Sequence, residues 1–371
     1  MNKKMSPAIH PALYDLIRLH YKALQGYVSA GMEVKKDLEK LFLNANENPY
    51  ELPGLEGFNR YPEPQPEALA EAYARAYGIE PDQIIMTRGA DEAIVILTKL
   101  FCEPHKDAIL ICPPTFGMYG VDARALPAEV VEVPLLKQGG TYTLDRNGIV
   151  QAARDPAHSI KLIYICSPNN PTATSFSHEI ISEICEAVEG HAVVILDETY
   201  AEFSAQGSMT GDLESTPNLI ILRTLSKSYA FAGMRMGSFL CGDAEFIAFC
   251  KSKCLDAYPL PLASIEAAFH VLSPEISAIA KENIKKLLAE RDRMKTALEA
   301  SAQVTYVYPS DANFLLVKMK DAQGFHAHCM AQNVILRDFS NKVGTENCLR
   351  ISIGTPEQNN RVLALLEEFA L

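Results

Sequence analysis

An asparagine, an aspartate, a lysine and an arginine follow one another along this chain, the first three each just past an apolar run. Asn170 lies in Ser167-Pro168-Asn169-Asn170-Pro171-Thr172, after the run 162–166, and Asp197 opens Asp197-Glu198-Thr199-Tyr200, after 193–196. Lys227 ends Arg223-Thr224-Leu225-Ser226-Lys227, after 219–222, and Arg235 follows in Ala232-Gly233-Met234-Arg235-Met236-Gly237. A lysine amine can form a Schiff base with an aldehyde and later shuttle a proton. A carboxylate can keep a pyridine nitrogen protonated, so that the ring takes up electrons. Amide and phenol donors can stabilise a ring hydroxyl, while cations and hydroxyls hold a phosphate. Together these types point to pyridoxal 5′-phosphate (PLP) as cofactor. A phosphate cradle stands upstream, where 84–86 runs into Thr87-Arg88-Gly89-Ala90-Asp91-Glu92 and then a helical pattern. Gly89 permits a tight turn, and amides near Ala90 and Asp91 would face an anion from a helix N-terminus. Asp91 fits equally well as a plain N-cap.

These residues need a scaffold that brings strand ends together. Short, nearly all-apolar runs at 84–86, 109–112, 130–133, 162–166, 193–196, 219–222 and 238–241 read as buried strands. Helical patterns, such as 92–101 and 179–188, lie between several of them. That alternation predicts a mainly parallel sheet covered on both faces, with ligands beyond the carboxyl ends of its strands. After about residue 261 the texture changes to a long charged helix over 274–301, a strand at 313–317, a further helix, short apolar runs at 334–336 and 348–353, and a final helix. The expected organisation is an N-terminal arm and part of the small domain over 1–45, a large α/β domain over 46–262 and a smaller α+β domain over 263–371.

Composition bounds the function. With 371 residues, 48% hydrophobic, the chain can bury a sizeable core. A net charge of −12 argues against general affinity for nucleic acid or anionic membranes, though not against a small anion in a local positive pocket. No run has the length of a membrane span, and the start lacks a signal-peptide core. Nine scattered cysteines without a CxxC pair suit free thiols in a reducing cytoplasm, and His326 and His328 lack companion carboxylates at ligand spacing, so no metal site is expected.

The chain resembles the fold-type I PLP-dependent aminotransferases, and within them the histidinol-phosphate aminotransferases. The likeness rests on Leu43-Asn44-Ala45-Asn46-Glu47-Asn48-Pro49-Tyr50, Arg60-Tyr61-Pro62-Glu63-Pro64, Arg88-Gly89-Ala90-Asp91-Glu92 and Pro113-Pro114-Thr115-Phe116-Gly117-Met118-Tyr119. It continues through the Asn170, Asp197 and Lys227 segments to Ile335-Leu336-Arg337-Asp338 and Leu349-Arg350-Ile351-Ser352. The resemblance implies that Lys227 is the Schiff-base lysine, that Asp197 pairs with the ring nitrogen, and that Asn170 and Tyr200 bond the ring hydroxyl. The amides of Ala90 and Asp91, with Thr224, Ser226 and Arg235, would take the cofactor phosphate. Phe116 would stack on the ring, and Tyr61 would reach the phosphate in a neighbouring subunit, which implies a homodimer. Arg337 and Arg350 would bind the anionic ends of substrate, and Tyr27 would line its pocket.

The activity so implied is amino-group transfer between L-histidinol phosphate and 2-oxoglutarate, in histidine biosynthesis. An aromatic-amino-acid aminotransferase, a decarboxylase of a phosphorylated amino acid and an amine-sensing regulatory protein share the constellation; the last usually carries a fused DNA-binding domain for which this chain has no spare N-terminal length. Three positions depart from the family pattern: Ala173 where glycine is usual, Phe116 where tyrosine is common, and Thr199 where alanine is usual. If position 173 requires a positive φ, Ala173 costs stability.

Overall fold

A computed structural model of the protein describes residues 8–26 and 41–369. Among the described residues, nine strands precede residue 242: β1 (Ile84–Thr87), β2 (Ala108–Ile111), β3 (Glu129–Glu132), β4 (Leu136–Gln138), β5 (Thr141–Thr143), β6 (Ile160–Cys166), β7 (Val193–Asp197), β8 (Leu219–Thr224) and β9 (Gly237–Cys241). Seven of them form one sheet in the order β1-β9-β8-β7-β6-β2-β3, parallel from β8 through β3, with β9 antiparallel to both of its neighbours. β4 and β5 make a separate hairpin.

The apolar runs are continuous because both faces of this sheet are buried. Successive residues point to opposite faces, so each strand divides its side chains between two cores. Ile163, Ile165, Val194, Leu196 and Ile221 join one core, and Leu162, Tyr164, Val193, Ile195 and Leu222 join the other. The second core is shared with the helices Gly89–Phe101 and Met118–Ala125. Leu13, Leu16 and Ile17 also enter it, so residues 8–26, from the stretch expected to be an arm and part of the small domain, pack on the large sheet.

A second sheet follows the 26-residue helix Pro274–Glu299. Its strands β10 (Val304–Val307), β11 (Phe314–Met319), β12 (Arg337–Asp338) and β13 (Cys348–Ser352) lie antiparallel in the order β10-β11-β13-β12. Helices Ala322–Ala331 and Pro356–Phe369 help to cover its core. The short apolar run at 334–336 is followed by β12 at Arg337–Asp338, where pairing with β13 decides the strand's position. Several contacts join the two parts of the chain near their shared cleft, among them one from β5 of the hairpin and one to the loop after β6. Tyr142 donates to the Gly344 carbonyl at 2.7 Å, and the Asp311 amide donates to the Ala173 carbonyl at 2.8 Å.

Candidate active site

Where β2, β6, β7 and β8 end, a cavity of about 850 Å³ opens, and residues from the small sheet form its other wall. Alternation along β7 decides which of two adjacent acids serves it. Val193 and Ile195 point toward the helix Gly89–Phe101, and Asp197 continues that set into the cavity. Glu198 belongs to the opposite face. There it accepts from Arg223 Nη1 at 3.0 Å, from the Met209 amide at 2.7 Å and from the Ser208 hydroxyl. The neighbouring strand divides in the same way: Thr224 faces the cavity, and Arg223 is buried behind it.

Asp197 is 3% exposed. Its Oδ2 accepts the Tyr119 hydroxyl proton at 2.5 Å, and its Oδ1 accepts the Thr199 amide at 3.0 Å. Burial pushes its pKa up, while the bonds from Thr199 and Tyr119 pull it back. Lys227, just past β8, lines the same cavity. Burial lowers the pKa of its amine, and the charges of Arg350 and Arg235 lower it further, against the pull of Asp91 and Asp197.

The end of the cavity toward the helix Gly89–Phe101 is cationic and rich in donors. Gly89 has φ +75°, and a Cβ there would lie 2.5 Å from Arg235 Nη2. A Cβ on Gly237 would lie 2.6 Å from the Ala90 nitrogen. Only glycine at both positions lets β9, the helix start and the guanidinium approach this closely. Asp91 sits inside the first turn, where it pairs with Arg235 Nη2 at 3.1 Å; it is not the N-cap, which is Arg88. Ser226 donates its amide to Thr224 Oγ1 at 3.2 Å, and both side chains line the cavity.

Across the cavity, Arg350 of β13 donates through Nη1 to Asn170 Oδ1, leaving the Asn170 amide group as a donor. The guanidinium lies 5.2 Å from the Phe314 ring and 5.7 Å from Phe339, and its buried Nε has no partner. Burial lowers its pKa, as does the like charge of Arg337, which is opposite it in the β12–β13 ladder. Tyr200 packs edge-on to Phe314 at 5.3 Å, and burial raises its pKa. Phe116 lines the cavity and meets the edge of Tyr119 at 5.5 Å.

The residues singled out from strand ends and motifs therefore share one cavity, except Tyr61 and Tyr27. Tyr61 is 56% exposed and stacks on Tyr258 at 4.1 Å; Tyr27 lies outside the described residues. Position 173 does require a positive φ: Ala173 has φ +61° and is wholly buried. Sequence reasoning missed Tyr119 as the donor to Asp197 and Arg350 as the partner of Asn170. The first could have been sought on the helix facing the Asp197 side of β7; the second depends on how the two sheets meet and has no local signal.

The donor set fits PLP. A buried carboxylate suits a cationic ring nitrogen, the glycine-lined cradle with Arg235 suits a phosphate, and the lysine amine lines the same cavity. Residues 39–366 match the family model described as aminotransferase class I and II. The chain is 40% identical over 358 residues, 96% of its length and 97% of the relative's, to a histidinol-phosphate aminotransferase of Xanthomonas campestris pv. campestris. It is 39% identical over 330 residues to one of Shigella boydii, covering 88% of this chain and 90% of that one. Among solved structures, histidinol-phosphate aminotransferase from Sinorhizobium meliloti in complex with pyridoxal-5′-phosphate superposes with a TM-score of 0.75 at 21% identity, over 84% of this chain and 83% of that one. With its fold-type I architecture, the chain belongs to the class I and II aminotransferases, a PLP-dependent family.

Proposed function

We propose that this enzyme transfers the amino group of L-histidinol phosphate to 2-oxoglutarate, giving imidazole acetol phosphate and L-glutamate. The observation that carries the reading is the meeting of Lys227, Asp197, Asn170 and Arg235 with Arg337 and Arg350 in one cavity. The names of the relatives, at about two-fifths identity over nearly the whole chain, supply the substrate.

When bound, PLP supplies an aldehyde that links to amines and a protonated ring that takes up the electron pair released at the substrate α-carbon. The amides of Ala90 and Asp91, with Thr224, Ser226 and Arg235, hold its phosphate. Asp197 would face the ring nitrogen, Phe116 would cover the ring, and the Asn170 amide and Tyr200 hydroxyl would bond the ring hydroxyl. Lys227 Nζ would hold the cofactor's aldehyde carbon and, once free of it, would take the proton from the substrate α-carbon. A lowered lysine pKa helps here, because a base must be free of its proton near neutrality. Arg350 and Arg337 hold the anionic groups of two substrates of different shape.

The working form is a cytoplasmic homodimer, with a large unit over 46–262 and a small one over 263–371. Its interface includes 41–61, where Leu41, Leu43, Tyr50 and Leu52 are strongly exposed. Tyr61, which does not line its own subunit's cavity, then reaches the partner's. Eight of the nine cysteines are buried and all are free, in keeping with a reducing compartment. Among the described residues no helix is long and apolar enough to cross a membrane.

Absorbance of the PLP-loaded enzyme, titrated with L-histidinol phosphate and separately with L-phenylalanine without keto acid, tests the substrate. The visible band of the lysine-linked cofactor should give way to the near-ultraviolet band of the aminated cofactor at low histidinol phosphate and only at far higher phenylalanine. Equal response to both amines would replace this reading with a broad aromatic aminotransferase.

A further inference from the structure

Behind Asp197, outside the cavity, lies a chain of buried side chains. Tyr119, in the helix Met118–Ala125, is fully buried and donates to Asp197 Oδ2 at 2.5 Å. Its ring stacks on Tyr164 of β6, with centroids 4.6 Å apart and planes at 13°. The Tyr164 hydroxyl is in turn 3.0 Å from Thr98 Oγ1, on the helix whose first turn makes the phosphate cradle. The tyrosine hydroxyl is thus fixed by two strands and two helices rather than by a mobile loop. A phenol near a carboxylate that must stay ionised is useful as a donor only, and burial keeps the Tyr119 proton on well above the ordinary tyrosine range.

We propose that Tyr119 is a positioning residue that holds Asp197 as an aimed, hydrogen-bonded carboxylate, so that the charge offered to the cofactor ring depends on the Tyr119 hydroxyl. This rests on the functional reading above. Both Asp197 oxygens already carry one bond, from Tyr119 and from the Thr199 amide, and each keeps a lone pair for the ring nitrogen. The other titratable groups facing Asp197 are Cys166 and Tyr164 from β6, Asp91 from the phosphate helix, Tyr200 from the turn after β7, and Lys227. Of these only Lys227 is cationic. Removal of the phenol therefore leaves only the neutral donors of Thr199, its amide and its side chain, to offset the burial of the charge.

The test compares wild type with Y119F, which keeps the ring and its stack. Burial already raises the Asp197 pKa, and loss of the phenol raises it further, so the folded chain holds that proton to a higher pH than the unfolded chain does. Stability of cofactor-free Y119F relative to wild type should then be near its best at low pH and fall as pH rises through the raised Asp197 pKa. In a D197N background the same substitution should lose that pH dependence, a double-mutant cycle that isolates the pair. The PLP dissociation constant of Y119F should rise about tenfold, the loss of one hydrogen bond to a charged group. A stability deficit that is flat with pH and unchanged in D197N would mean that Tyr119 only packs, and would overturn the proposal while leaving the functional reading intact. A wild-type chain that takes up no PLP would sink both.

Discussion

Glu198 touches no part of the cavity, yet its removal should cost more stability than that of any residue lining it. The carboxylate is 2% exposed and accepts three hydrogen bonds: from Arg223, from the Met209 amide and from Ser208. Arg223 is 5% exposed, pairs also with Glu202 Oε1 at 2.6 Å, and lies 4.4 Å from the Tyr77 ring. Breaking a buried pair by removing one partner costs about 3–5 kcal/mol, and Glu202 holds the cost in E198A to the lower end, about 3 kcal/mol. The orphaned Met209 amide adds about 1 kcal/mol or more, for about 4 kcal/mol in all. An unfolding entropy of roughly 2 cal/mol/K per residue gives about 0.8 kcal/mol/K for this chain, so its melting temperature should drop by about 5 °C. E198Q keeps an oxygen for the Met209 amide and should lose about half as much. Thermal unfolding of the cofactor-free chain, followed by circular dichroism, measures both. If E198A melts within about 1 °C of wild type, or E198Q as low as E198A, the reasoning about this buried pair is wrong.

At the cradle, R235Q should raise the PLP dissociation constant roughly ten- to a hundredfold, from the loss of charged hydrogen bonds to the phosphate. Its effect on stability should stay below about 1 kcal/mol, since the Asp91–Arg235 pair is half exposed; titration of the apoenzyme with PLP and a melt separate the two. Ala173→Gly should alter stability by less than about 1 kcal/mol, because relief of a left-handed alanine is offset by greater freedom of the unfolded chain and loss of a buried methyl. Ala173→Val should be much worse in a denaturant melt, a β-branched side chain being strained there. Because the folded pKa of Lys227 is lowered, the unfolded chain binds its proton more readily between the two values, and this group's contribution to stability rises with pH toward the ordinary lysine range of about 10.4. Wild type should therefore gain on K227M in melting temperature as pH is raised; a constant difference would contradict the lowered pKa.

What could be read in the amino-acid order is what local pattern decides. β6, β7 and β8 are apolar on both faces and so stand out as runs, and their ends carry Asn170, Asp197 and Thr224 into one cavity. The hairpin of β4 and β5 and the strand β10 escaped notice because they are short and bury only a residue or two between them, such as Tyr142 and Val307, with no apolar run to mark them. β12 falls just past the apolar run 334–336 because its place is set by partnership: Arg337 and Asp338 pair with Arg350 and Leu349, whereas Ile335 stays 72% exposed. The bond between Arg350 and Asn170 joins residues far apart in sequence, from different sheets, and nothing near either one announces it. Tyr61 and the exposed residues before it are legible only as surface in a single chain.

Adjacent residues at two strand ends divide chemistry from anchorage. On β7, Asp197 enters the cavity while Glu198 is locked behind it; on β8, Thr224 enters while Arg223 binds Glu198 from behind. The rear ion pair ties together two strand ends. Under the proposed function their front residues must keep a fixed separation, since one faces the ring nitrogen and the other the phosphate. The ion pair adds to the ladder there, in which the Glu198 amide donates to the Leu222 carbonyl and the Ser167 amide to the Asp197 carbonyl, each at 3.0 Å. The two acids cannot exchange roles, because a shift of one residue along β7 would turn Asp197 to the rear and Glu198 to the cavity. That constraint follows from the two-residue period of a strand. It makes the Asp197-Glu198 order as necessary to the site as either acid is alone.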